Sequence, residues 1–172
     1  MTHSEFTAFW RTACQAHIEV RHGVNGEEHF SRVTLTYDPM IGAAAEIKEY
    51  FRQRKDFGGL QVLLINPVAR YQDERNDAPR KYINFGIAVL DKPSDDGSDD
   101  IEACFDKTER ITEELLGYAL EKFELIEGFV ELNASSGEPL ADLDKRYGYK
   151  VDVTISLSAY NNLSYKPAQF GE

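Results

Sequence analysis

The sequence predicts an α+β fold: a mostly antiparallel sheet of about four to six strands, helices packed on one face, one long helix over about residues 100–123. Three observations carry this. Ile83, Phe85, Ile87 and Val89 alternate with Tyr82, Asn84, Gly86 and Ala88, and Val151, Val153, Ile155 and Leu157 alternate with Asp152, Thr154, Ser156 and Ser158. Only an extended strand can use a period of two to bury one face. Ile101, Cys104, Phe105, Thr108, Ile111, Thr112, Leu115, Ala119, Leu120 and Phe123 recur at helical spacing. The elements run helix, strand, helix, strand, strand, long helix, strand, strand, which is not the regular alternation of a parallel α/β sheet. At 172 residues the chain fits one domain over 1–160, followed by a polar and aromatic tail over 161–172.

Each element has its local cause. Thr2 followed by Glu5 forms a capping-box pattern, and Phe6, Phe9, Trp10, Ala13, Cys14 and His17 then mark a helix over 4–17. Glycines and an asparagine at 21–26 turn the chain toward a strand between His29 and Tyr37, rich in β-branched and aromatic residues. Ile41, Ala44, Ala45, Ile47, Lys48 and Phe51 restore helical spacing until Gly58-Gly59 ends it. The apolar run 61–67 suits a strand covered on both faces and is the candidate for the sheet centre. Residues 68–80 are polar and read as a loop or hairpin excursion, and 91–100, with five aspartates, as a mobile loop. Asp99 with Glu102 repeats the capping signature before the long helix, whose Gly117 costs about 1 kcal/mol against alanine and predicts close approach by another backbone. Phe129–Leu132 reads as a strand, Ser135–Pro139 as a connection, and Tyr149–Ser158 as the last strand, with one face buried and one solvated.

Nineteen basic against thirty acidic residues leave a net charge of -11, which disfavours binding to a duplex phosphate backbone. Asp91–Lys145 holds seventeen acids and five bases, so the acidity belongs to the second half. A solvated helix face is the usual explanation, and the functional alternative is a surface facing either nucleic acid that slides past without sticking or a basic partner. The two cysteines, Cys14 and Cys104, lie on apolar helical stripes and fit neither a disulfide framework nor a zinc site. The N-terminus lacks a signal-peptide pattern and no segment has the roughly twenty apolar residues of a membrane span. These features lead to the expectation of a soluble, cytoplasmically made protein.

The tests for chemistry return little. His3, His17, His22 and His29 have no HExxH or paired-cysteine context, and the aspartate loop fails as an EF-hand because Lys92 and Ala103 fall where carboxylates are needed. No GxGxxG, GxxxxGK[ST] or GxSxG is present. The expectation is therefore no enzyme, no cofactor and no metal.

In its order of elements the chain resembles the tail-terminator and neck, or tail-completion, proteins of phages and phage-like injection systems. The likeness covers the opening helix running into Ile18-Glu19-Val20-Arg21-His22, the strand from His29 to Tyr37, and Val62–Asn66 with its polar excursion. It continues through Lys81–Leu90, the acidic loop into Asp106–Ile111, and the closing Arg146-Tyr147-Gly148-Tyr149-Lys150-Val151 strand. The resemblance implies a structural virion protein, assembled in the host cytoplasm. It would form a ring, usually hexameric, that ends a tail tube and joins it to neck or connector proteins, with DNA only as passing cargo. Under that reading Arg70, Tyr71, Arg75, Arg80, Tyr160, Tyr165 and Phe170 are expected at subunit contacts, and Asp95, Asp96, Asp99 and Asp100 along the channel. The competing reading is a monomeric acidic inhibitor, an immunity protein or DNA mimic, that occupies a basic partner.

Overall fold

Thr2 starts the first helix as the sequence predicts. Its hydroxyl accepts from the Glu5 N–H while the Glu5 carboxylate accepts from the Thr2 N–H, giving α1 over His3–Ala16. The computed structural model describes residues 1–23, 28–35, 43–53, 59–72, 80–127 and 131–158. After α1 come β1 (Phe30–Val33), α2 (Ala43–Gln53), β2 (Gln61–Gln72), β3 (Arg80–Asp91), α3 (Ser98–Glu127), β4 (Glu131–Leu140) and β5 (Tyr147–Ser158). The five strands form one sheet in the order β1-β2-β3-β5-β4. The β1–β2 pair is parallel and the other three pairs are antiparallel, so the sheet is mixed and mostly antiparallel. Its middle strand is β3; the expected centre, 61–67, lies one place out, between β1 and β3.

The expectation of helices on one face holds for α1 and α3 and needs correcting for α2. Phe6 and Trp10 of α1 and Ile111, Leu115 and Phe123 of α3 pack on Val62, Leu64, Phe85, Ile87, Val153 and Ile155. Burying each such side chain contributes about 1.5–3 kcal/mol. The alternate residues Leu63, Ile65, Ala88 and Leu90 point the other way and meet Ile47 and Phe51 of α2. The physical reason is the parallel β1–β2 pair, whose connection must cross over a face of the sheet and takes α2 with it. The upper half of β3 is consequently buried on both sides, Ala88 and Leu90 included.

Several boundaries also differ. Strand β2 continues through Gln72 and pairs with β3 from Arg80 onward, so the described ends of the excursion 68–80 form the hairpin of the two readings, and 73–79 lie outside the described residues. A bulge between Ile65 and Val68 holds Asn66 at φ 42°. Residues 135–139, expected as a connection, belong to β4, because the edge of β5 offers them a ladder and a bulge between Ala134 and Ser136 absorbs the irregularity. Gly137 lies under the Tyr149 ring, where a Cβ would overlap the phenol. Gly117 has open space where its Cβ would stand, and among the described residues no backbone approaches it. Strand β1 ends at Val33, and the expected extension through Thr36 and Tyr37 lies outside the described residues. Among the described residues no helix is long and apolar enough to cross a membrane.

Candidate functional site

The expected interface residues divide between the described and undescribed parts. Arg75, Tyr160, Tyr165 and Phe170 lie outside the described residues. Arg70, Tyr71 and Arg80 come together on the outer half of the β2–β3 hairpin, where Arg70 pairs with Tyr82, Tyr71 with Lys81 and Gln72 with Arg80. The alternation of a strand sends them to two faces. Tyr71 lies on the α1 side, its ring 5.8 Å from the Lys81 ammonium, which also donates to the Met1 carbonyl. Arg70 and Arg80 lie on the opposite face, where Arg80 Nη1 donates to Ser156 Oγ at 3.0 Å. Val68 and Tyr71 keep 48% and 53% of their surface exposed, and with Ile18 they are the exposed large hydrophobics among the described residues.

The acids expected along a channel gather at the other end of the sheet. Strand β3 runs twelve residues from Arg80 to Asp91, which separates the two groups by about 35 Å at the rise of an extended strand. Asp95 and Asp96 are exposed in the short link before α3, and Asp99 and Asp100 occupy the first turn of that helix. The Gly97 carbonyl accepts the first helical bond from Ile101, so the helix begins two residues before the position that Asp99 as cap would give. Ser94 Oγ donates to Asp100 at 2.7 Å, and the Asp96 N–H to Asp95 at 2.7 Å. Negative charge at this helix end interacts favourably with the unsatisfied N–H groups of the first turn.

Sequence reasoning missed a third feature, the half of the sheet that α2 leaves uncovered. A shallow depression of about 400 Å³ lies there over Gly86, bordered by Ile65, Val68, Arg70, Asn84, Asp152 and Thr154. Thr154 Oγ1 donates to Asn84 Oδ1 at 2.7 Å. Lys150 Nζ, its side chain 7% exposed, donates to Asp152 at 2.5 Å and to Glu138 at 3.3 Å. Burial alone would lower the Lys150 pKa, but these two carboxylates outweigh it and hold the ammonium above its ordinary range. Space over residue 86 is tight: a Cβ would stand 3.1 Å from the Asp152 carboxylate and 3.3 Å from Ile65, so these neighbours would have to give by a few tenths of an ångström. Arg70, by contrast, has neither a hydrogen bond nor an ion pair among the described residues. Lys150 and Asp152 two apart in a predicted strand were the available signal; their partner Glu138 lay in a stretch read as a connection.

Three histidines join elements of the fold. His22 Nδ1 accepts from the His29 and Phe30 N–H groups at 3.1 and 3.2 Å, and His29 Nδ1 lies 2.8 Å from the Leu60 carbonyl. His17 Nε2 lies 2.9 Å from Glu114, joining α1 to α3. Burial pushes the Cys14 thiol up to about 12, so it is not a thiolate at neutral pH. No family model matches the chain, and no characterised protein matches its sequence. The site is therefore described by its own geometry: a hairpin arm with exposed apolar and basic side chains, an acidic opposite pole, and a partly uncovered sheet face between them.

Proposed function

We propose that this chain is a ring-forming structural protein of a phage or phage-like particle, of the tail-terminator or neck type. The observation that carries the reading is the hairpin arm. Val68 and Tyr71, two of the three exposed large hydrophobics among the described residues, stand on it beside the exposed Arg70. Apolar side chains presented on an extended hairpin are a means of gripping a neighbour. The separation of this arm from the acidic pole also suits heterologous contact, in which each copy uses two different surfaces and closure depends on rotation between copies. In that arrangement Asp95, Asp96, Asp99 and Asp100 border the passage and repel transiting DNA. Self-association is tested by light scattering and negative-stain imaging of the full chain across concentration. The reading requires a discrete oligomer with a central opening, and Tyr71→Glu should shift its dissociation midpoint upward by about tenfold, the size of one interface side chain worth roughly 1.4 kcal/mol.

A second reading, the monomeric acidic inhibitor, is favoured by the outward face of α3, where Glu102, Asp106 and Glu113 are exposed. It requires a chain that stays monomeric when concentrated and binds a basic partner with steep salt dependence.

A further inference from the structure

The surface of α3 that faces away from the sheet is acidic along one line. Glu102, Asp106, Glu113 and Gly117 follow each other at spacings of four, seven and four residues, which puts them on one side of a helix. Thr108, Ile111, Leu115 and Ala119 are buried on the opposite side. Arg110 is already taken up by Glu19 at 2.7 Å and Glu114 at 2.9 Å, and Lys107 by Asp91 at 2.6 Å. Glu102, Asp106 and Glu113 have no ion-pair partner among the described residues. At Gly117 the helix backbone is bare, although glycine costs about 1 kcal/mol in a helix interior. Among the described residues nothing uses the access that the missing side chain gives.

The uncovered half of the sheet offers a cation to that line of acids. Its exposed cation is Arg70, at the border of the depression over Gly86, while Lys150 is already neutralised by Asp152 and Glu138. We propose that this sheet face binds the outward face of α3 from a second copy of the chain, with Arg70 of one copy set against Asp106 and Glu113 of the other. Charge complementarity selects this occupant: one chain presents a guanidinium and carboxylates that have no ion-pair partner among the described residues. Position supports it. The face of the sheet that α2 leaves bare and the outer face of α3 point in opposite directions, so one copy cannot satisfy itself, and front-to-back contact repeats from copy to copy. The proposal rests on the ring reading above and names its interface.

Charge reversal tests it on the full chain. Arg70→Glu, and separately Asp106→Lys with Glu113→Lys, place like charges across the interface, and each protein alone should dissociate at a concentration about tenfold or more above that of the unaltered chain. An equimolar mixture of the two should regain the original mass, because each copy then presents a charge that its neighbour complements. Circular dichroism and thermal midpoints confirm that the altered surfaces leave the fold intact. Unaltered oligomer mass in both reversed proteins, or a mixture that stays dissociated while the unaltered chain assembles, overturns the interface and leaves the ring reading standing. An unaltered chain that is monomeric throughout overturns both.

Discussion

Asn66 holds Leu35 as a strand neighbour would, with a side chain instead of a backbone. Its Oδ1 accepts from the Leu35 N–H at 2.7 Å, and its Nδ2 donates to the Leu35 carbonyl at 2.9 Å. The parallel β1–β2 ladder ends at the Val33–Ile65 pair, and the amide extends it past the bulge. Asparagine suits the position twice, because it also tolerates the left-handed φ of 42° that the bulge imposes.

Replacing Asn66 should separate these two roles. Asn66→Gly keeps the backbone conformation and loses both hydrogen bonds, a cost of about 1–3 kcal/mol. Asn66→Ala adds the steric penalty of positive φ, about 1 kcal/mol more. Urea midpoints should therefore fall in the order Asn, Gly, Ala; equal midpoints for the two variants would place all of the effect in the hydrogen bonds.

Gly148 should be the least replaceable glycine in the sheet. A Cβ there would overlap the Val89 carbonyl oxygen and crowd the Leu90 backbone, which cannot turn aside as a side chain can. Gly148→Ala is predicted to cost more than about 3 kcal/mol, the upper range for overpacking. Gly137→Ala meets only the Tyr149 ring, so its cost should shrink by at least about 1 kcal/mol when Tyr149→Ala is also present. A double-mutant cycle by urea unfolding measures that coupling.

Acid should loosen the α1–β1 joint before it reaches the carboxylates. His22 accepts two backbone N–H bonds at Nδ1 and must be neutral to do so, and burial, with Arg11 beside it, holds its pKa below the ordinary 6.5. The unfolded chain takes up this proton first. The stability linked to neutral His22 is full above about pH 6.5 and drains as the pH falls toward the folded value. Glu5, lowered by its bonds from Thr2, and Glu114, lowered by its bond from Arg110, contribute above 4.5 and lose their share below it. His22→Gln should lower stability at neutral pH and flatten the loss that sets in as the pH falls below about 6.5, read as urea midpoints against pH. An unchanged slope would assign the loss elsewhere, with His3, also lowered by burial, the next candidate.

Arg146 should not accept lysine. Its guanidinium is 3% exposed and lies 4.6 Å from the Phe51 ring centroid, which joins the approach to β5 with α2. Burial lowers its pKa, while Asp144 and Asp91 act to raise it. Arg146→Lys loses the planar stacking and is predicted to cost about 1–2 kcal/mol, with Arg146→Met costing less than Arg146→Ala because its stem still fills the space. Thermal midpoints of the three variants give the order.

The acidic link should prove dispensable for folding. Asp95 and Asp96 are exposed, and Asp99 and Asp100 contribute through the helix end, about 0.3–1 kcal/mol each. Changing all four to asparagine should leave the circular dichroism spectrum unaltered and lower stability by no more than about 2 kcal/mol. Loss of the fold would remove these residues from any role in lining a passage.

Much of this architecture was legible because single residues repeat at a period the backbone enforces. Ile83 to Val89 and Val151 to Leu157 could bury one face only as strands, and Thr108, Ile111, Leu115 and Phe123 only as a helix. What was not legible depends on partners distant in sequence. Ser136, Gly137 and Pro139 have turn chemistry, yet they pair with Asp152, Val151 and Tyr149 because β5 supplies a ladder. The face chosen by α2 follows from a parallel pairing that no local pattern announces. The Lys150–Asp152–Glu138 group and the bare surface beside it needed the order of strands, which places β4 next to β5 and leaves Arg70 beyond the reach of α2.

That strand order governs the sequence of events as the chain is made. Among the described strands β5 comes last along the chain, yet it inserts between β3 and β4, which both precede it. Until Tyr147–Ser158 arrives, β3 has an open ladder along Ile83, Phe85, Ile87 and Val89, and α1 and α3 lack half of their floor. Premature termination within this stretch would leave a sticky, half-finished sheet rather than a shorter domain, and cellular handling of the nascent polypeptide must bridge that interval.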